Sequence, residues 1–517
     1  MLIHDVLTRN ARICPDRVAL AMGRETITYR DLSARVSVAA SALRKLGVAK
    51  GDRVALLTRT PPLYVELFYA VTGIGAVLVP LNDLLVRREI EAILAHAEAS
   101  VLLFAAEFRD MIDRIRPGLP SAARFACVDQ EVPGYDALDR NGEGSPGFPV
   151  DAATTTETDI AIQVYTSGIY GSRRGAMLSH RNLLAASASA AMELGLSRND
   201  VTLSCMPMPF MAGTGRLLRF QYLGGTVVLL REFDPEEVLQ AIERRKITHL
   251  LLTPTMMARI LDLPTAGRYN LATLRTVLYG GASIPVELQK RAIRFFRCDM
   301  VQSYGHVESS GVLTFLQAED HSLEESAPYM RKLMSVGKEA IGVEVRVVTE
   351  GGAEIAPNQV GEIVARGPNI FEGYFRDPAS TAEVMRNGWL YTGDIASVDE
   401  DGYIYIVDRK RDTLIVGGIP ICPREIEDVL AEHPAVKEAA VIGRPDYVFG
   451  EVPVAVIERK EGADTDEETI LSHCRENMAP FKVPVSVEFV PRLPRNSQGK
   501  VLKAKLKDKP TPRTPRR

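Results

Sequence analysis

The chain has 517 residues, enough for several hydrophobic cores and hence for two to four domains or subdomains. Apolar residues make up 46% and charged residues 25%, which excludes a disordered or membrane class, and a net charge of −4 leaves no global field for nucleic acid. Its six cysteines, Cys14, Cys127, Cys205, Cys298, Cys422 and Cys474, are scattered without a C-x-x-C, so they read as reduced cytosolic thiols rather than a disulfide framework or a structural zinc site.

The start, MLIHDVLTRNARICPDR, lacks the charged start, apolar core and cleavage site of a signal peptide, so a cytoplasmic location is expected. Residues 25 to 57 pass from helical apolar spacing after Tyr29 through Gly47 and Gly51 to a strand, VALL. The apolar stretch at 63–81 contains Glu66 and glycines, so it predicts a packed helix running into a strand and not a membrane span. The same alternation returns at 86–104 and 236–255, and continuous apolar runs after amphipathic helices indicate parallel strands covered on both faces. NGEGSPGFP at 141–149 reads as a surface loop. From about 332 to 406 short alternating strands predict a small sheet or barrel-like β subdomain, and DGYIYIVDRKRD at 401–412 joins a hairpin signal to a polar exit. A compact α+β segment follows at 413–506, and KDKPTPRTPRR closes the chain as a disordered basic tail at 507–517.

The stretch VYTSGIYGSRRGAMLSH at 164–180 has the outline of a phosphate loop, since glycines let backbone N–H groups turn toward phosphate oxygens. Its spacing is not that of a Walker loop, and taken alone such a stretch is more often only a turn. Five further segments accompany it in order: YGGASIP (279–285), QSYGHVESS (302–310), YTGD (391–394), VDRKRD (407–412) and PRNSQGK (494–500). Together they resemble the adenylate-forming superfamily of acyl-CoA synthetases, peptide-synthetase adenylation domains and luciferases, over nearly the whole chain.

The resemblance implies an α/β fold: a large domain at 1–408 of layered α/β subdomains plus the β subdomain, a hinge at 409–412, and a small mobile α+β domain at 413–506. It implies joining of a carboxylate to ATP with release of pyrophosphate, rotation of the small domain, and transfer of the acyl group from AMP to a thiol. Thr166, Ser167, Gly168, Gly171 and Arg174 fall in the phosphate loop. Gly280, Gly281 and Ala282 match the strand end bordering adenine and acyl group, Tyr304 the aromatic stacked on adenine, Asp394 and Arg409 the ribose contacts. Glu308 matches the Mg²⁺-associated glutamate, and Lys500 the mobile lysine that bridges the substrate carboxylate and α-phosphate. Arg411 stands at the hinge, while Gly417 and Gly418 resemble the loop lining the pantetheine tunnel.

Against the family pattern TSGTTGxPKG, the chain has Ile169 and Tyr170 for two hydroxyl residues, Arg173 for proline and Arg174 for lysine. Val307 replaces the threonine before Glu308. A phosphate oxygen left without its donor costs on the order of 1–3 kcal/mol, so these losses predict weakened ATP binding unless Arg174 compensates through its guanidinium fork. The expected activity is therefore acyl-CoA formation chiefly from a preformed acyl-adenylate and CoA, with a separate ligase supplying the adenylate. The alternatives are a complete ATP- and Mg²⁺-dependent acyl-CoA synthetase, or a ligase loading a carrier protein in trans. A scaffold on a dead enzyme fold and luciferase-like oxidation are the rival classes. Phe210, Leu217 and Leu278 are expected near a pocket for a hydrophobic carboxylic acid, and a homodimer is the default assembly.

Overall fold

The computed structural model describes residues 1–119, 123–139, 155–166, 174–282, 284–323, 331–409, 413–494, 501 and 503–507, and the side chains of Thr166, Asp408, Arg409, Pro420 and Ala504 are outside that set. The first sheet has nine strands in the order Lys338–Glu339, Thr314–Leu316, Asp299–Tyr304, Thr276–Gly280, His249–Leu252, Val201–Ser204, Thr226–Leu229, Val18–Met22 and Glu25–Thr28. Its six central strands run parallel, and the three edge strands are antiparallel. A second sheet of seven strands is parallel except where Ile160–Thr166 pairs with Arg174–Ser179.

Alternation along these strands assigns each side chain to a layer. Leu20, Val227 and Leu278 join Val54, Leu56 and Leu78 of the second sheet in one core, together with the helices Ile3–Ile13, Tyr29–Lys45, Pro61–Gly73, His180–Glu193 and Met211–Leu223. Their strand neighbours Ala21, Val228 and Val277 face the opposite side, under the helices Pro235–Arg245, Pro254–Leu261 and Val286–Phe296. Ala55 and Leu57 likewise face the helices Arg87–Ala97 and Arg109–Ile115. Two parallel sheets are thus covered on both faces, as their continuous apolar runs require. The Pro61–Gly73 helix is buried along its whole length, and its Glu66 carboxylate is paired with Arg35 at 3.2 Å. Among the described residues no helix is long and apolar enough to cross a membrane.

The third sheet is antiparallel and lies between Glu344 and Arg409, where short alternating strands are expected. Val347, Ile363, Leu390 and Ile404 pack it onto the large central core. A fourth sheet, from Leu414 to Val490, closes over the helices Pro423–Ala431 and Glu467–Asn477 with separate cores. This is a two-domain α/β architecture with a small α+β unit at its end. The expected loop at 141–149 lies outside the described residues.

Gly337 shows where backbone contact excludes a side chain: its φ is +80° and a Cβ would stand 1.9 Å from the Phe315 carbonyl oxygen. Gly342 has φ +81° but open space around it. Gly342→Ala is expected to cost about 1 kcal/mol, and Gly337→Ala several times more, as measured by the urea midpoint of each variant.

Candidate active site

The strand Thr276–Gly280 ends beside the strand Asp299–Tyr304, with Gly280 paired to Ser303. A Cβ on Gly280 would lie 2.3 Å from the Ser303 carbonyl oxygen, and Gly281 follows with φ +81°, so both positions require glycine. Gly280, Gly281 and Ala282 therefore sit at the carboxyl ends of parallel strands, where open α/β sheets bind ligands.

Tyr304 closes its strand and turns its hydroxyl to Asp394 of the third sheet, donating to Oδ2 at 2.6 Å. His306 Nε2 lies 2.8 Å from the same oxygen, with its ring edge-on to the Tyr304 ring at 5.4 Å. Asp394 is buried, and its backbone N–H donates to Thr392 Oγ1 at 3.1 Å, which fixes the carboxylate between the two sheets. Arg409 pairs with Asp394 across the next strand, so the two expected ribose contacts are register partners. His306 stands inside the QSYGHVESS segment but outside the residues the resemblance assigns, and its position two residues after Tyr304 is the sequence signal for it.

Glu308 sits in a short 3₁₀ turn, half-buried, and its Oε1 accepts from the Tyr374 hydroxyl at 2.6 Å. Phe371 N–H donates to its carbonyl at 2.8 Å, so the 371–374 segment holds the glutamate from both ends. Among the described residues no group of three or more metal-binding side chains forms. A single half-exposed carboxylate suits a Mg²⁺ carried chiefly by substrate phosphates and water.

Arg174 departs from its expected place at the phosphates. Its side chain is only 3% exposed and is turned into the protein, with its guanidinium 5.1 Å over the Tyr374 ring, 3.5 Å from Glu383 and 3.9 Å from Asp377. A hydrogen bond from Ser380, and then the charge of Arg174, hold the Asp377 carboxyl below its usual range. Pairing of Thr166 with Arg174 makes them the ends of a hairpin. Ser167, Gly168, Ile169, Tyr170, Gly171 and Arg173 lie outside the described residues, as do Arg411 and Lys500. Leu217 and Leu278 are buried in the central core, and Phe210 is half-buried at the start of the helix Met211–Leu223.

The small unit reaches this site through its first hairpin. Gly417 and Gly418 form the turn, with φ +58° and +88°, and a Cβ on Gly418 would meet Thr253 Cγ2 at 2.7 Å. The Gly418 carbonyl also faces Gly281. Three polar contacts hold the same docking: Lys482 Nζ with Glu89 at 2.7 Å and Glu425 at 2.8 Å, Arg88 with Glu432 through two 2.6 Å bonds, and Arg291 with the Tyr447 hydroxyl at 3.2 Å. Burial works to lower the Lys482 pKa, but the two carboxylates outweigh it and hold the ammonium above its ordinary value.

A family model described as AMP-binding enzyme matches residues 7–375, and one described as AMP-binding enzyme C-terminal domain matches residues 425–500. The chain belongs to this family of adenylate-forming enzymes, and its class is that of the AMP-forming acyl-CoA ligases. A feruloyl-CoA synthase from Amycolatopsis sp is 37% identical over 501 residues, covering 96% of this chain and 97% of that protein. The amide bond synthetase McbA from Marinactinospora thermotolerans is similar with a TM-score of 0.89 and 30% identity, over 98% of this chain and 99% of that one. The o-succinylbenzoate CoA synthetase MenE from Bacillus subtilis is 28% identical and was solved in several states. A double mutant with the product analogue OSB-NCoA gives a TM-score of 0.85 over 98% of both chains, and the complex with the acyl-adenylate intermediate OSB-AMP gives 0.70 over 98% and 99%.

Removing one partner from a buried ion pair costs roughly 3–5 kcal/mol. Lys482→Met leaves Glu89 and Glu425 facing each other and is expected to loosen the docked orientation, whereas Lys482→Arg largely preserves it. Rapid-quench measurement should show thioester formation from acyl-adenylate and CoA slowed about tenfold or more in the methionine variant and about threefold or less in the arginine variant.

Proposed function

We propose that the protein is a complete ATP-dependent acyl-CoA synthetase: it joins a carboxylic acid to AMP with release of pyrophosphate, then passes the acyl group to the thiol of CoA with release of AMP. The observation that carries this reading is the docking of the Gly417–Gly418 turn against Thr253 and Gly281. The likeness to MenE with a CoA product analogue exceeds that to the same enzyme with its acyl-adenylate, which supports a thioester-forming orientation of the small unit. The MenE complex with an acyl-adenylate intermediate favours the full two-step reaction over the impaired adenylation expected from Ile169, Tyr170, Arg173 and Val307.

In this reading Gly280, Gly281 and Ala282 border adenine and acyl group, and Tyr304 and His306 fix Asp394 for the ribose. Arg409, on the neighbouring strand, contributes the second ribose contact. Glu308 would hold Mg²⁺ together with the phosphates of ATP, and the bound ion would supply charge neutralisation at phosphorus. Lys500 reaches the substrate carboxylate and α-phosphate when the small unit turns. Arg411 serves as the hinge at the boundary between the units, near 408–413. Gly417 and Gly418 leave room for the pantetheine arm. Arg174 shapes the base of the phosphate hairpin through Asp377, Glu383 and Tyr374, and is not itself a phosphate ligand.

The acid is hydrophobic and aryl-bearing, supported by the names of the feruloyl and 2-succinylbenzoate relatives. A second acceptor is favoured by the likeness to McbA, an amide bond synthetase, so an amine is included in the test.

The test supplies a panel of cinnamic and benzoic acids with ATP, Mg²⁺ and either CoA or benzylamine, and follows pyrophosphate, AMP and product by mass spectrometry. Equal amounts of pyrophosphate, AMP and CoA thioester are expected; thioester from synthetic acyl-adenylates alone would restore the impaired-adenylation reading, and amide without thioester would reassign the acceptor. In the same assay Tyr304→Phe, which strips Asp394 of one charge-assisted hydrogen bond, should lower kcat/KM for ATP by about tenfold to a hundredfold with little effect on the KM for CoA.

A further inference from the structure

The helix Met211–Leu223 carries two arginines in the interior, Arg216 at 1% and Arg219 at 6% exposure. Among the described residues neither has a carboxylate partner. Arg216 Nε donates to Thr202 Oγ1 at 2.8 Å, its guanidinium lies 5.1 Å over the Phe220 ring, and its Nη2 has no hydrogen-bond partner among the described residues. Among the described residues Arg219 makes one long hydrogen bond, from Nη2 to the Gly311 carbonyl at 3.4 Å. Burial pulls Arg219 down to about 10, and burial together with the neighbouring charge of Arg219 pulls Arg216 down to about 9, so both remain cations at neutral pH.

The position of Arg219 gives these charges a direction. Arg219, Gly215 and Met211 are four residues apart and share one stripe, along which a helical side chain leans back toward the N-terminus. That end of the helix begins at Phe210, in the loop expected to shape the acyl pocket. Two glycines let the guanidinium approach their backbone closely: Cβ atoms on Gly311 and Gly215 would stand 3.3 Å and 3.9 Å from Arg219 Nη2. Gly311 ends the loop that begins with Tyr304 and carries Glu308, and Leu313 N–H returns to the Tyr304 carbonyl at 2.9 Å. The guanidinium therefore lies between the acyl-side loop and the adenylate-side loop. A buried cation without a counter-charge is costly in any fold, and one retained beside a site is the mark of an anionic ligand.

We infer that Arg219, backed by the charge of Arg216, binds a carboxylate at the far end of the acyl group, so that the substrate is an aryl acid bearing a second carboxylate. This rests on the acyl-CoA synthetase reading above.

The experiment uses the full-length enzyme and three matched acids: cinnamate, 4-hydroxycinnamate and 4-carboxycinnamate. Thioester formation gives kcat/KM for each, and calorimetry in the presence of AMP gives binding independently of turnover. The diacid should be preferred over cinnamate by about tenfold or more in both measurements, Arg219→Met should remove that preference while leaving cinnamate within about threefold, and Arg219→Lys should keep part of it. Because the methionine variant loses an uncompensated buried charge, its ligand-free melting temperature should be no lower than that of the native protein. Equal or weaker binding of the diacid to the native enzyme overturns the inference, as does a loss of all three acids together in Arg219→Met. A preference for 4-hydroxycinnamate matching that for the diacid replaces the anion by a neutral acceptor and also overturns it. Absence of thioester from every acid, with diacid binding still favoured and still dependent on Arg219, would sustain this inference and sink the synthetase reading.

Discussion

The arrangement of the whole molecule turns on a contact too close for a side chain. Gly418 lies so near Thr253 that one added carbon would meet its methyl group at 2.7 Å, and its carbonyl looks onto Gly281 at the end of a central parallel strand. Both glycines have positive φ, which other residues adopt only with strain. This contact brings the separately folded 414–490 unit to the carboxyl ends of the first sheet, where ligands bind in such folds. The ion pairs around Lys482 and Arg88 hold the unit at a second point, on the helix Arg87–Ala97.

The site itself is a junction of three sheets. Tyr304 belongs to the first, Asp394 to the third, and the hairpin ending at Arg174 to the second. The segment 371–375 ties them together, with the Phe371 N–H on the Glu308 carbonyl, the Phe375 N–H on the Gly175 carbonyl and the Tyr374 hydroxyl on Glu308. Such a junction fixes polar groups before any substrate arrives, which is the condition for electrostatic stabilisation of charge that develops during reaction.

Much of this was legible in the sequence because it depends on local pattern. The helix and strand at 63–81, the alternation at 86–104 and 236–255, the small β sheet near 332–406 and the compact segment after 413 follow from periodicity and turn residues. The ordered motifs pointed to Gly280, Tyr304, Glu308 and Asp394, and the fold sets Gly280 and Tyr304 at neighbouring strand ends with Asp394 bonded to the Tyr304 hydroxyl. What remained hidden depends on side-chain direction. Arg174 was expected to turn toward the phosphates by its place in the loop motif, and only the fold puts Asp377 and Glu383 beside it. No motif marks Arg216 and Arg219; MAGTGRLLRFQYL holds no acid to pair with them, and only the fold shows that none comes from elsewhere among the described residues.

In the proposed reaction the small unit's orientation separates two half-reactions at one site. Hydrogen exchange of the intact enzyme tests this directly, by following peptides that contain the 416–419 turn and the 253–257 helix start. With CoA and a non-reactive acyl-sulfamoyl adenosine, both peptides should be protected together, and with ATP, Mg²⁺ and acid in the absence of CoA, both should lose protection as the turn leaves Thr253. Protection that stays the same in the two conditions, or that changes in one peptide alone, would contradict the account.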